Sequence, residues 1–173
     1  GGTQLLVAPG TGSLMTVPGN AIISPDVIFP VLHGKNGEDG TVQGLAEVAH
    51  IPYVGCGIEA SALGMDKLLA KKIVAASGIK IARYIAVSQP DEVQSLLYRD
   101  EYDSDIVERL GAEPWFVKPA RAGSSVGVSK VTSPDQLELA VREALRHDTV
   151  ALIEEGIAGR EIEVAVLGNP PHH

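Results

Sequence analysis

The residues able to do chemistry fall in four short segments. In the first, Lys118 closes an apolar run and is followed by Pro119-Ala120-Arg121-Ala122-Gly123-Ser124-Ser125-Val126-Gly127. A lysine at a strand end supplies a point charge. Glycine lets backbone N–H groups approach an anion closely, and serine hydroxyls add donors. That combination suits phosphate. The plain alternative is a hairpin turn with a surface lysine, because glycine-rich loops alone are weak signals. In the second segment, Leu152-Ile153-Glu154-Glu155-Gly156-Ile157 leads to Gly159-Arg160-Glu161. A strand ending in two carboxylates, followed by a turn and a further carboxylate, could serve the base and ribose of a nucleotide. Solvated carboxylates at strand ends are the ordinary alternative.

The third segment is Met65-Asp66-Lys67, where Lys67 could reach a phosphate from a helix N-terminus whose dipole already favours anions. A solvated helix lysine is the competing reading. The fourth is His33-Gly34-Lys35-Asn36-Gly37-Glu38-Asp39-Gly40, at the C-terminal end of an apolar run. Ligands of open parallel sheets bind at such ends. His33 is a candidate acid–base or polar group there, or simply a capped loop histidine.

These segments need elements to position them. Residues 26–32 (DVIFPVL) read as a strand buried on both faces. A helix carrying Val42, Leu45, Ala46 and Ala49 follows, then a short strand at 51–55. Strand, glycine loop, helix and strand make a βαβ unit, which implies a parallel sheet. The linker to the next unit is expected at 57–64. The pattern then predicts a helix over 65–77 with Asp66 in its first turn, and a strand over 79–87. Residues 88–111 are polar, with an acidic patch at Asp100-Glu101-Tyr102-Asp103; helix plus a surface insertion is expected. Strands at 115–119 and 126–131 flank the Gly123 loop as an antiparallel hairpin. Ser133-Pro134-Asp135-Gln136 is a helix start with a Ser cap, Pro at the first position and Gln in capping-box position. That helix runs to about 147, and strands at 150–154 and 161–167 close the pattern. The opening Gly/Thr/Pro-rich stretch, residues 1–20, carries no assigned element.

The bulk composition bounds the function. In 173 residues, 45% apolar and 21% charged, there is enough apolar material for a core. The net charge of −8 argues against a nucleic-acid partner, which needs clustered Lys and Arg. A single cysteine, Cys56, excludes an intrachain disulfide. No apolar run approaches the ~20 residues of a membrane span. Beginning without Met and ending just after a strand pattern, the sequence reads as a piece of a longer protein. The terminal histidines are given no role.

Taken in order, FPVLHGKNGEDGTVQGLAEVAHIPYVG, SALGMDKLLAKK, FVKPARAGSSVGVSKV and EEGIAGREIEVAVLG resemble the D-alanine–D-alanine ligases of the ATP-grasp superfamily, over residues 25–168. The resemblance implies a mixed α/β and α+β fold. Residues 1–60 would end a parallel α/β (pre-ATP-grasp) domain. Residues 61–155 would form the central ATP-grasp subdomain with an antiparallel sheet, and 156–173 would begin the C-terminal one.

The implied reaction joins two D-alanine molecules for peptidoglycan synthesis. ATP phosphorylates the carboxylate of one, and the amine of the other attacks the acyl phosphate, releasing phosphate and D-alanyl-D-alanine. By the same resemblance Lys67 and Lys118 contact the ATP phosphates. Ser124, Ser125 and Val126 lie in the loop that closes over them, with Ser124 also orienting substrate. Glu154 accepts from the adenine amino group, the backbone at Glu155 and Ile157 completes the adenine rim, and Glu161 binds ribose. His33 faces the first D-alanine and the acyl phosphate. Magnesium or manganese is implied, with ligands outside this chain, as are the second-substrate loop and a substrate-binding glutamate. The chain as given is therefore expected not to catalyse alone. Ala122 stands where many relatives carry a polar or acidic residue. A cytoplasmic homodimer completes the expectation. A D-alanine–D-lactate ligase, a non-catalytic ATP-binding fragment and a structural remnant without ATP affinity are the competing readings.

Overall fold

The alternating run at 115–119 builds the centre of the molecule. In this computed structural model, which describes residues 3–97, 105–165 and 168, strand β5 (Trp115–Pro119) buries Trp115, Val117 and Pro119 and leaves Phe116 and Lys118 half-exposed. This is the period-two signature of a sheet with one face in the core. It pairs antiparallel with β6 (Ser129–Val131) on one side and β7 (Ala151–Glu155) on the other. β7 in turn pairs antiparallel with β4 (Tyr84–Val87), giving the order β4-β7-β5-β6. The antiparallel hairpin and the antiparallel sheet agree with expectation.

One face of this sheet meets three helices: α4 (Glu92–Leu97), α5 (Asp105–Leu110) and α6 (Leu137–Leu145). Trp115, Val117, Ile153, Ile106, Leu137 and Val141 are fully buried between them. The Trp115 indole N–H is satisfied by the Gly111 carbonyl at 2.9 Å. The opposite face carries Tyr84, Phe116, Lys118, Leu152 and Glu154, as the register Tyr84–Glu154–Phe116 and Lys118–Leu152 requires. Helix α3 (Lys67–Ala76) reaches that second face through its lysines. Asp66 is its N-cap rather than a first-turn residue, accepting from the amides of Leu68 and Leu69 at 3.0 and 3.1 Å.

Several elements differ from the sequence reading. Residues 57–64, expected as a linker, are mostly helical, forming α2 (Ile58–Met65) directly ahead of α3. The strand expected at 79–87 is β4 alone. The Gln136 side chain reaches back past Ser133 to the Thr132 amide at 3.0 Å, and Ser133 makes no side-chain cap. A short 3-10 turn, Pro134–Gln136, therefore precedes α6. The strand expected at 161–167 is absent over 161–165, which are irregular and exposed. A strand exists only where a neighbour accepts its ladder, and no described strand lies beside this segment. Its last two residues and the acidic patch at 100–103 lie outside the described residues.

The N-terminal part departs further. The opening stretch folds into an antiparallel three-stranded sheet, β1 (Gln4–Ala8), β2 (Ser13–Val17) and β3 (Ile22–Ile23). The turn between β1 and β2 donates from Gly10 and Gly12 to the Val48 and Ala49 carbonyls, which end helix α1 (Thr41–Ala49). The parallel βαβ unit is present in reduced form, as one parallel bridge between Ile28 and Tyr53. The run at 26–32 is not buried: Val27, Phe29 and Val31 are 51%, 70% and 69% exposed. With one bridging residue it has neither the ladder nor the covering layers of a central strand. No helix among the described residues is long and apolar enough to cross a membrane.

Candidate functional site

Three lysines and one carboxylate meet on the face of the sheet that the core does not use. Lys118 leaves β5 with its ammonium 2.6 Å from Glu154 Oε2. Lys71, from the second turn of α3, lies 3.2 Å from Glu154 Oε1. That second contact is an ion pair without hydrogen-bond alignment, so the buried Oε1 has no hydrogen-bond partner among the described residues. Lys71 also donates to the Ala82 carbonyl at 3.3 Å and stands 5.3 Å from the Tyr84 ring centroid. Lys67, one helical turn earlier, donates to the Ala122 carbonyl. Its own amide donates to Ala120 O at 2.9 Å. Burial, and then the Lys118 ammonium, push Lys67 below the ordinary lysine range, against the opposing pull of Glu154, Asp148 and Asp66. Lys67, Lys71 and Lys118 against Glu154 leave a surplus of positive charge.

The loop after β5 is anchored and open at once. Its base is fixed by Arg121, which donates from its backbone and guanidinium to Asp148 at 2.6 Å each. Its tip turns through Ser124 and Ser125, both left-handed at φ 50° and 58°, then Gly127 at 69°. Non-glycine residues take that conformation only where their surroundings impose it. Within the tip, Val126 donates to Gly123 O and Val128 to Ser125 O. Among the described residues the Ser124 and Ser125 amides have no protein acceptor. Successive free backbone amides in a turn make a concavity suited to anions.

The loop at 33–40 is tied internally. The Asn36 amide donates to Asp39 at 2.8 Å and the Thr41 amide at 3.1 Å, which holds the Asp39 carboxyl below its usual range. Gly40 takes φ 92° and passes so near Ile58 that a Cβ would lie 2.8 Å from the Ile58 carbonyl oxygen. Lys35, Asp39, Asp66, Arg121, His147 and Asp148 line one cavity of about 710 Å³ between this loop and the base of the Arg121 loop.

Models of the D-ala D-ala ligase N-terminus and C-terminus match residues 11–56 and 73–173. The chain belongs to the D-alanine–D-alanine ligase family. It is 49% identical over 170 residues to the D-alanine–D-alanine ligase of Mycobacterium tuberculosis, covering 98% of this chain and 41% of that protein. It is 54% identical over 144 residues to that of Geobacillus kaustophilus, covering 83% and 38%. The chain thus spans about two-fifths of the length of the curated relatives it matches. Among solved structures it is similar to the VanG D-Ala:D-Ser ligase of Enterococcus faecalis, with TM-score 0.76, 38% identity, and 91% of this chain and 43% of that one covered. It is also similar to D-alanyl-alanine synthetase A of Vibrio cholerae, with TM-score 0.77 and 31% identity, over 91% and 45%.

Of the residues the ligase resemblance singles out, the structure brings Lys67, Lys118 and Glu154 together, and sets Ser124, Ser125 and Val126 on the loop that Lys67 touches through Ala122. Glu155 points elsewhere. Its carboxylate accepts from Arg83 Nε and N at 2.7 Å each, and its amide donates to Arg83 O. That amide is therefore occupied. Ile157 and Glu161 lie on the exposed segment beyond β7, with no hydrogen bond or ion pair to the lysine cluster. His33 is exposed and does not line the cavity its neighbours Lys35 and Asp39 share.

Sequence reasoning missed Lys71, Tyr84 and the Arg121–Asp148 clamp. Lys71 had a signal, since four residues after Lys67 is the same face of a helix. The clamp joins positions 27 apart and had none.

Proposed function

We propose that this chain supplies the nucleotide-holding part of an ATP-dependent D-alanine–D-alanine ligase. The supporting observation is the Lys67–Lys118 pair beside a loop whose Ser124 and Ser125 amides lack protein acceptors. Phosphoryl transfer needs mainly positioning and electrostatic neutralisation, and surplus ammonium charge beside a loop with open amides, which Lys67 touches through Ala122, offers both. On this reading Lys67 and Lys118 hold the ATP phosphates, and Ser124, Ser125 and Val126 close over them. Glu154 Oε1, ion-paired with Lys71 but accepting no hydrogen bond among the described residues, fits an incoming adenine amino group, with Ile157 and the Glu155 carbonyl at the rim and Glu161 at the ribose. His33 and Ser124 orient the first D-alanine as its carboxylate becomes an acyl phosphate, which the amine of the second D-alanine then displaces.

The relatives' names favour D-alanine over D-lactate as second substrate. Magnesium or manganese belongs to the family expectation. Among the described residues no three His, Cys, Asp or Glu side chains converge on a metal position; the family expectation places the ligands outside this chain. The proposed division is a substrate domain over 1–60, the central ATP-binding subdomain over 61–155 and the start of the C-terminal subdomain from 156. A cytoplasmic homodimer is part of the same proposal, with light scattering as its check.

Isothermal calorimetry of this chain with ATP tests the reading. Saturable binding that Lys118→Ala weakens supports it, and absence of any ATP affinity overturns it. An assay for D-alanyl-D-alanine in the full-length protein, run with D-alanine, D-serine and D-lactate as acceptors, identifies the second substrate.

A further inference from the structure

Glu154 is 9% exposed in its side chain and has only lysines for partners, Lys118 at 2.6 Å and Lys71 at 3.2 Å. The two lysines are not equivalent. Lys71 is 15% exposed and fixed three ways, by Glu154, by the Ala82 carbonyl and by the Tyr84 ring. Lys118 is 23% exposed and, among the described residues, has Glu154 alone. A phosphate that draws the Lys118 ammonium outward weakens its contact with that carboxylate. Without Lys71, the buried carboxylate would lose its one remaining partner and be strongly destabilised, which would hold Lys118 back. A second, immobile ammonium removes that penalty.

We propose that Lys71 is a positioning residue: it keeps the Glu154 carboxylate paired, so that the Lys118 ammonium is released to the polyphosphate of a nucleoside triphosphate. The inference rests on the nucleotide reading above and adds a residue to it. Lys71 acts through Glu154 and touches no phosphate itself. Its effect must therefore depend on the charge at position 154.

The experiment is calorimetry on this chain and its K71M, K71R, E154Q and K71M/E154Q variants, with ATP and, separately, adenosine as probes. Circular dichroism and urea unfolding report folding, and adenosine, which carries no phosphate, separates the base contact made by Glu154 from the phosphate contact made by Lys118. In the Glu154 background K71M weakens ATP roughly tenfold and leaves adenosine within about twofold, and K71R stays within about threefold of the unmodified chain. In the E154Q background, where no carboxylate needs a partner, K71M changes ATP affinity less than about twofold. Unchanged ATP affinity in K71M, or an equal loss in both backgrounds, overturns the proposal. If the unmodified chain has no ATP affinity, the nucleotide reading fails and this inference with it. ATP affinity that K71M leaves intact sinks this inference alone.

Discussion

Gly156 passes directly beneath Pro114: a Cβ added there would meet the Pro114 carbonyl oxygen head-on and lie 3.0 Å from Pro114 Cγ. Both obstacles belong to the stretch just before β5, so neither yields without moving the sheet. Gly156→Ala should therefore cost about 2–3 kcal/mol in urea unfolding, typical of overpacking. Gly159→Ala, where nothing stands within 4 Å, is the control and should change little. Equal stabilities of the two variants would contradict the close approach.

Lys118→Ala separates function from fold. Lys71, 3.2 Å from Glu154, remains to pair the carboxylate, so unfolding free energy should fall by less than the ~3–5 kcal/mol of a buried charge left unpartnered. ATP affinity should drop by about 10-fold or more, as for loss of a charge-assisted contact. Calorimetry and urea unfolding on one preparation give both numbers.

Asp148 makes stability depend on acid. Burial raises its carboxyl, but the Arg121 guanidinium and the Thr149 and Arg121 amides outweigh it and hold it below the ordinary 3.8. A depressed carboxyl contributes its full stability above the unfolded value and loses it as pH falls through the folded one. The gap in stability between the unmodified chain and Asp148→Asn should be constant near neutrality. It should close as pH drops below 3.8. A gap that widens in acid would show that the clamp does not act through the ionised carboxylate.

Lys67 gives a second titration of opposite use. Its ammonium is held below the ordinary 10.5 by burial and by Lys118. Phosphate oxygens nearby favour the charged form. ATP binding should then take up protons over the pH range between the depressed value and 10.5. Calorimetry in buffers of different ionisation enthalpy measures this directly. Proton release in that range would place the triphosphate away from Lys67.

Much of the central sheet was legible because Trp115–Pro119 alternates cleanly, with Trp115 and Val117 inward and Phe116 and Lys118 outward. Periodicity reports a buried face directly. The N-terminal sheet was hidden because Pro9, Gly10, Gly12, Pro18 and Gly19 dominate the composition around two five-residue strands. Those residues mark turns, and here they are turns. Residues 26–32 misled in the other direction: an apolar run fixes what a segment prefers, not whether neighbours exist to cover it, and Phe29 is 70% exposed. At the site, Lys67, Lys118 and Glu154 were readable from their motifs. That Glu154 faces two ammoniums and Glu155 faces Arg83 depends on strand register, which single positions do not reveal.

The sheet that carries Lys118 and Glu154 is one peptide layer thick. Val117 and Ile153 sit fully buried on its inner side, each one residue along the chain from Lys118 or Glu154. Interiors transmit strain rather than absorb it. A screen for weakened nucleotide binding should therefore return buried aliphatic positions that no ligand could touch, and resistance to a competitive inhibitor could arise the same way, by tilting the platform from beneath.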